Sequence, residues 1–364
     1  MVKAVVVAEQ GSAPEVAEVQ LPPVGAHDVR LRIASAGVCH SDLSMINGTL
    51  SPEYPVVLGH EAAGTVAEVG SAVETVEPGQ RVVVNWAAAC RRCWFCLQGE
   101  PWLCSEAEGT VSPPSGTLSD GTGVHACMGI GAFAEEIVIP ARSAVPLPEG
   151  VPLDLASLMG CALLTGTGAV RNTAQVRSGE SALVVGLGGI GLSAILGARL
   201  AGAVPIVAVD VSPEKESLAR ACGATDFLVS EPKLSKQVRK LTGGRGVDHA
   251  LDCVGASTTI RQSWSSTRRG GQCTLVGIGK HTDEITFNPL ELFHFARTLT
   301  SSVYGSGDPD RDVPQLAEQV RRGRLDLESL VSDRISLAGV PDAFARMEAG
   351  QGARSIIELD GAAG

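Results

Sequence analysis

Apolar and polar residues alternate in short runs over roughly the first 150 positions of the chain. In VRLRIAS (29–35), Val29, Leu31 and Ile33 fall on one face and Arg30 and Arg32 on the other, the period-two pattern of a half-buried strand. GTVAEVG (64–70) and QRVVVNW (80–86) read similarly between glycines and prolines, and few stretches carry helical spacing. This part is expected to fold as an irregular β-barrel.

From about residue 180 the rhythm changes. ALVVG (182–186), PIVAVD (205–210), TDFLVS (225–230), VDHALDCVG (247–255) and GQCTLVGIG (271–279) read as strands, separated by helical stretches such as SPEKESLARACGA (212–224). Strands alternating with helices predict βαβ units in a parallel sheet. TLTSSVYGS (298–306) reads as a last strand, followed by one helix (314–323) and a final strand, RSIIEL (354–359). The tail is too short for a domain of its own. The expected organisation is therefore α/β, with residues 1–157 and 302–364 forming one domain and 158–301 the other.

The stretch SALVVGLGGIGLSAILGA (181–198) carries no charge and is long enough for a short membrane span. Its glycines argue for strand, tight turn and helix instead, because they cluster between a β-branched run and a helix-compatible run. They spell G-x-G-x-x-G: Gly186 permits the turn, Gly188 and the adjacent Gly189 and Ile190 present backbone amides to a pyrophosphate, and Gly191 allows close helix packing. Asp210 ends the next strand nineteen residues after Gly191, where a carboxylate accepts from both ribose hydroxyls and repels a 2′-phosphate. NAD is thus favoured over NADP. The competing readings are Asp210 as a helix N-terminal acid, and Lys215 as a solvated lysine rather than a ribose contact.

Composition adds boundaries. With 364 residues, 44% apolar and 19% charged, the chain is globular, and its net charge of −11 argues against nucleic acid and for small-molecule partners. The opening MVKAVVVAEQG lacks a signal-peptide core, so a cytoplasmic setting is expected. Four of ten cysteines, Cys90, Cys93, Cys96 and Cys104, form C-x2-C-x2-C-x7-C, a set that can close around one tetrahedral structural zinc. An iron–sulfur cluster would bring its fourth cysteine sooner and follow it with proline, and disulfides fit a reducing compartment poorly. Cys39, His60 and Cys161 are dispersed, and from spacing alone each reads as readily as a core residue.

Taken together, the motifs resemble the zinc-containing medium-chain alcohol dehydrogenases, in their long-loop animal-type and bacterial branch. GHEAAGTVAEVGSAV (59–73) satisfies the family signature, and the Cys39 segment, the four-cysteine loop, Cys161, GLGGIG, Asp210 and the terminal ARSIIEL follow in family order. The resemblance covers essentially the whole chain. It implies a β-rich GroES-like catalytic domain and a Rossmann domain, with the active site in the cleft between them. It implies Cys39, His60 and Cys161 as ligands of a catalytic zinc, so two zinc ions per chain, with Glu61 behind the metal and Asp42 orienting His60. Ser41 takes the substrate proton, His40 and Arg354 align with pyrophosphate contacts, and Thr165 with a nicotinamide contact. Leu50, Trp86 and Phe133 align with a hydrophobic substrate pocket, which implies a primary alcohol or aldehyde, aromatic ones included. The insert after Cys104 implies a homodimer.

Two departures stand out. Many relatives carry histidine where this chain has Ser44, which shortens the outward proton relay. Glutathione-dependent formaldehyde-oxidising members place an acid near Leu50 and an arginine near Glu108, and this chain has neither; a form using another thiol, such as mycothiol, stays open. So do a biosynthetic C=C or C=N reductase and a non-catalytic zinc- and nucleotide-binding protein.

Overall fold

The computed structural model describes residues 1–107 and 114–359. Two compact units emerge, Met1–Cys161 joined by Asp308–Gly364, and Ala162–Gly307. The chain crosses after 161 and 307, against expected boundaries after 157 and 301, so Cys161 belongs with the first unit.

That unit holds β1 (Val2–Val7), β2 (Glu15–Gln20), β3 (Asp28–Gly37), α1 (His40–Asn47), β4 (Val56–Val57), β5 (Ala62–Val69), β6 (Arg81–Val84), α2 (Trp94–Leu97), β7 (Gly116–Leu118), β8 (Gly123–Ala126), β9 (Glu136–Pro140), β10 (Ala144–Pro146) and α3 (Leu153–Ala156). Strands β1, β2, β7, β8 and β4 close a small barrel. The segment expected as a long loop after Cys104 thus supplies two barrel strands. β3 alternates as its sequence predicts as far as Ile33, then is buried on both faces from Ala34 to Gly37.

The second unit runs α4 (Ala162–Gly168), β11 (Ala182–Val185), α5 (Gly189–Ala201), β12 (Ile206–Asp210), α6 (Glu216–Cys222), β13 (Asp226–Val229), α7 (Leu234–Leu241), β14 (Val247–Asp252), α8 (Ser257–Ser266), β15 (Thr267–Leu275), α9 (Pro289–Phe295) and β16 (Thr298–Ser301). Its six strands are all parallel, in the order β13-β12-β11-β14-β15-β16. Numbered within the unit this is 3-2-1-4-5-6, the doubly wound dinucleotide-binding order. Leu183, Val185, Val207, Val209 and Trp264 fill its core, each such burial contributing on the order of 1.5–3 kcal/mol. Residues 181–198 split into β11, a turn and α5, and among the described residues no single helix is long and apolar enough to cross a membrane.

The chain then re-enters the first unit with α10 (Pro309–Arg321), β17 (Val331–Ile335), α11 (Val340–Glu348) and β18 (Arg354–Glu358). β18 pairs with β3 and β17, completing a sheet with β10, β6, β5 and β9. Two sequence expectations shift here. α10 begins five residues before the expected 314, because the Asp308 side chain accepts from Asp310 N and Pro309 occupies the first turn; Pro314 is tolerated inside at the loss of one helical hydrogen bond. The strand expected through 306 stops at Ser301, since Tyr304 and Gly305 turn with φ of 48° and 72°.

Candidate active site

Sheet register builds the first metal cluster. β3 and β5 pair antiparallel with Ala36 opposite Ala62, which sets Gly37 against Glu61, and Gly37 N donates to Glu61 O at 2.8 Å. β18 pairs β3 with Ile356 opposite Gly37, so two residues on Arg354 reaches the level of Cys39. Cys161 follows a short helical turn, Ser157–Gly160, packed on β3, β5 and β6. One ligand atom from each of Cys39, His60, Glu61 and Cys161 lies within 4.8 Å of all the others, and all four residues are buried.

Asp42 organises this cluster. Its Oδ2 accepts from Cys39 N (3.0 Å), the return half of a capping box at the start of α1. Its Oδ1 accepts from Gly59 N (3.1 Å) and from His60 Nδ1 (3.0 Å). Since the carboxylate only accepts, Nδ1 carries the proton and Nε2 presents its lone pair. Nε2 is buried without a hydrogen-bond partner, as are both Glu61 oxygens. Buried polar atoms left in this state ask for a ligand. Two sulfurs and one bare imidazole nitrogen are the donor set of a catalytic zinc that keeps an open position.

Electrostatics point the same way. A hydrogen bond from Cys161, with Arg354 and His60 nearby, holds the Cys39 thiol well below its usual range against the effect of burial, while Cys161 is pushed well above. Burial raises Glu61 to about 7, opposed by the Arg354 guanidinium 3.4 Å away.

The adjacent residues divide by direction. Cys39 is buried, His40 exposed and Ser41 half-buried, with Ser41 Oγ 3.8 Å from Cys39 Sγ. They divide because Cys39 is the extended N-cap of α1 while His40 is already helical. Ser44 lies half-buried one turn further along. Arg354, expected at a pyrophosphate, is itself buried, paired with Glu61 and donating to Val38 O at 2.7 Å.

The second cluster is the four-cysteine lobe. Cys90, Cys93, Cys96 and Cys104 bring their sulfurs within 4.8 Å of one another, compatible with the spacing of about 3.8 Å that tetrahedral zinc–thiolate bonds impose. Backbone amides already point at the sulfurs, Cys90 N at Cys104 (3.2 Å) and Cys93 N at Cys90 (3.3 Å). The amide of Cys96 draws Cys93 down to about 6, and burial raises Cys96 to about 12. Arg91 forks onto Asp308 (2.6 and 2.8 Å) and Arg92 onto Glu106 (both 3.0 Å), tying the lobe to the start of α10 and to its own far end. The ten cysteines form no disulfide.

In the second unit, Gly186 sits at φ 88°, and a Cβ at Gly191 would come within 1.9 Å of Gly186 O. A Cβ at Gly188 would meet nothing within 4 Å. Gly188 is the N-cap of α5, and the amides of Gly189, Ile190 and Gly191 precede the first intrahelical bond, from Leu192 N to Gly188 O, so this turn is a cradle suited to a pyrophosphate. Asp210 Oδ2 accepts from Leu187 N (2.8 Å) and Oδ1 from Ser212 N (3.0 Å), so the carboxylate is fixed at the strand end. Lys215 is buried, and desolvation lowers its pKa against the pull of Asp210; it is no solvated lysine. Thr165 is buried on α4 beside Gly166, which packs on α5.

The pocket residues need one correction. Phe133 is fully buried in the barrel core, its ring filling the space a Cβ at Gly59 would claim, so it is packing and not pocket wall. Trp86 is half-buried with its ring edge-on to His60 at 6.3 Å, and Leu50 is half-buried against the same core. Glu108 lies outside the described residues. Sequence reasoning missed Cys127, a buried thiol 3.6 Å from Asp42 Oδ1; no spacing in the sequence signals it.

Comparison with known proteins matches two family models, an alcohol dehydrogenase GroES-like domain over residues 25–149 and a zinc-binding dehydrogenase over 189–322. The chain is 35% identical to S-(hydroxymethyl)glutathione dehydrogenase of Escherichia coli O1:K1 / APEC, over 98% of this chain and 99% of that protein. Among solved structures it is similar to an alcohol dehydrogenase zinc-binding domain protein from Burkholderia ambifaria (TM-score 0.92, 30% identity, 98% of each chain). It is also similar to benzyl alcohol dehydrogenase from Acinetobacter calcoaceticus (TM-score 0.90, 27% identity, 98% of this chain and 99% of that one).

Proposed function

The chain belongs to the zinc-containing medium-chain alcohol dehydrogenase family, and on that premise we propose that it interconverts hydrophobic primary alcohols, aromatic ones included, and their aldehydes with NAD(H). The observation that carries this reading is the buried convergence of Cys39, His60 and Cys161, with the His60 Nε2 lone pair unpartnered. These three would hold the catalytic zinc, and the four-cysteine lobe a structural one. When bound, zinc supplies Lewis-acid polarisation of the substrate oxygen and the nicotinamide takes the hydride.

The chain's own residues do the rest. Ser41, beside Cys39, accepts the alcohol proton through its hydroxyl. Asp42 keeps His60 in one tautomer and one orientation. Arg354 and Glu61 balance the charge of the thiolates from behind. The amides opening α5 receive the pyrophosphate, with His40 and Thr165 as further cofactor contacts, and Asp210 and Lys215 hold the adenosine ribose, excluding a 2′-phosphate. Trp86 and Leu50 shape an apolar surface for the substrate chain.

Benzyl alcohol with NAD⁺ should give steady formation of reduced cofactor, and NADP⁺ should give a kcat/KM about 10- to 100-fold lower, the equivalent of about 1.5–3 kcal/mol for a hydrogen bond to a charged group. A protein that binds two zinc ions and NADH yet turns over no alcohol or aldehyde would overturn the proposal.

A second reading draws on the 35% identical relative, named for S-(hydroxymethyl)glutathione. Leucine at position 50 removes the acid that glutathione-dependent members place there, which favours plain alcohols or a different thiol carrier. Turnover of formaldehyde that requires added mycothiol or glutathione would establish this second reading in place of the first.

We also read the molecule as a homodimer. Support comes from β16, an edge strand with an open hydrogen-bonding side, and from Phe293, 84% exposed on neighbouring α9. Two copies related by a two-fold axis would pair these edges and cover the apolar helix face.

A further inference from the structure

The parallel pairing of β4 with β8 sets Val57 beside Ala126, and each strand is followed at once by a residue of the metal cluster's surroundings: Gly59 and His60 on one side, Cys127 on the other. Cys127 begins a tight turn in which Met128, Gly129 and Gly131 all have positive φ (49°, 72° and 66°). Its carbonyl accepts from Ile130 N (2.9 Å) and Gly131 N (3.3 Å), so its backbone is anchored. The side chain is fully buried, and its Sγ stands 3.6 Å from Asp42 Oδ1. A carboxylate oxygen that accepts from Gly59 and His60 has no proton to give, so the thiol is the donor in this contact.

We propose that Cys127 is a positioning residue: its thiol donates to Asp42 Oδ1 and, through that carboxylate, holds the His60 ring with Nε2 turned toward the sulfurs of Cys39 and Cys161. The inference rests on the reading of Cys39, His60 and Cys161 as zinc ligands. Asp42 then carries four donors, one on Oδ2 and three on Oδ1, contributed by α1, by the β4–β5 turn and by the β8–β9 turn. The first three come from the segments that bear the ligands themselves. Gly59 ties the carboxylate to the barrel through β4 and Cys127 ties it through β8, so removing the thiol donor takes away the tie to β8 and loosens Asp42 on the side away from α1.

Partners that orient a ligand typically change metal affinity about 10- to 100-fold, and a thiol is a weak donor acting one contact further out, so an effect of about 3- to 10-fold is expected. The test compares the holoenzyme with Cys127→Val, which keeps the volume and removes the donor, and Cys127→Ser, which keeps a donor. Release of zinc to a chelating dye is followed in time, with the four-cysteine lobe as internal control, together with the NMR resonance of the His60 Nδ1 proton. Cys127→Val should speed release of one zinc about 3- to 10-fold, leave the other unchanged and move the His60 resonance, and Cys127→Ser should restore most of both. Equal release from all three proteins, or identical behaviour of the Val and Ser variants, would overturn the inference while leaving the ligand assignment intact. A wild-type protein that holds a single zinc insensitive to Cys161→Ser would overturn the assignment and this inference with it.

Discussion

A methyl group at Gly37 would sit 2.4 Å from Glu61 Oε1, which measures how tightly the metal cluster is packed and why a glycine ends β3. At this scale each side chain has one task. His60 supplies a lone pair because Asp42 takes its other nitrogen, and Cys161 brings a second sulfur beside that of Cys39. Replacing Cys161 by serine exchanges a thiol for a hydroxyl that stays protonated at neutral pH and is a poor zinc ligand. Turnover should be abolished and zinc content should fall from two ions per chain to one, with the four-cysteine lobe still loaded. Metal analysis alongside activity checks this; retained activity, or loss of both ions, would contradict the ligand set.

At the scale of the element, the start of α5 separates two kinds of glycine. Gly191 faces backbone at contact distance, so Gly191→Ala should destabilise the second unit by at least about 3 kcal/mol, the upper range of overpacking. Gly188 faces open space at an ordinary negative φ, so Gly188→Ala should melt close to the parent yet bind NADH about tenfold or more weakly, because its methyl enters the cradle. Thermal melts paired with NADH fluorescence titrations decide the point, and tight cofactor binding by Gly188→Ala would remove the cradle from that loop.

The base of the same sheet carries a different device. Asp248 on β14 accepts from Ser181 N (2.8 Å) and Oγ (2.6 Å) beside β11, and from Arg268 Nε (2.6 Å) on β15. Burial pushes this carboxyl up, but the serine and arginine donors outweigh it and draw it from 3.8 to about 2. A folded-state value below the unfolded one means that the group stabilises the fold above about pH 4 and that this contribution is lost as pH falls toward 2. Asp248→Asn should therefore lower the melting temperature at neutral pH and flatten its decline between pH 4 and 2. An unchanged acid limb in the variant would discard the network as a source of pH dependence.

For the whole molecule, two units each carry a complete part of the chemistry: both metal clusters in one, the dinucleotide cradle in the other. Among the exposed apolar residues of the second unit, Leu290 and Phe293 on α9, Leu299 on β16 and Val303 just beyond lie in or next to its edge strand. Glu291 of α9 holds the inner side by accepting from Trp264 Nε1 (2.7 Å) and Arg261 (3.0 Å), so the outer side is presented rigidly. Phe293→Glu should shift the protein in size-exclusion chromatography with light scattering from the mass of two chains to that of one 37.5-kDa chain. A variant that still elutes with the mass of the parent would place the interface elsewhere.

Features that close over short distances can be read from the chain alone. The four cysteines lie within fifteen residues, GLGGIG within six, and the alternation of β3 and the βαβ rhythm are local patterns, so the lobe, the cradle and the fold class were legible from spacing. Tertiary structure decided the rest. Cys39 and His60 meet because β3 and β5 pair in one register, Cys161 joins them from a turn packed on β3, β5 and β6, and two irregularities between β3 and β5 shift that register in ways no residue spacing announces. Phe133 belongs to the core, and Cys127 to the surroundings of Asp42, because the barrel closes through β4 and β8, two short strands joined from distant parts of the chain. Local loops pay little entropy to bring ligands together and leave their signature in sequence, whereas contacts between distant segments depend on how whole sheets align.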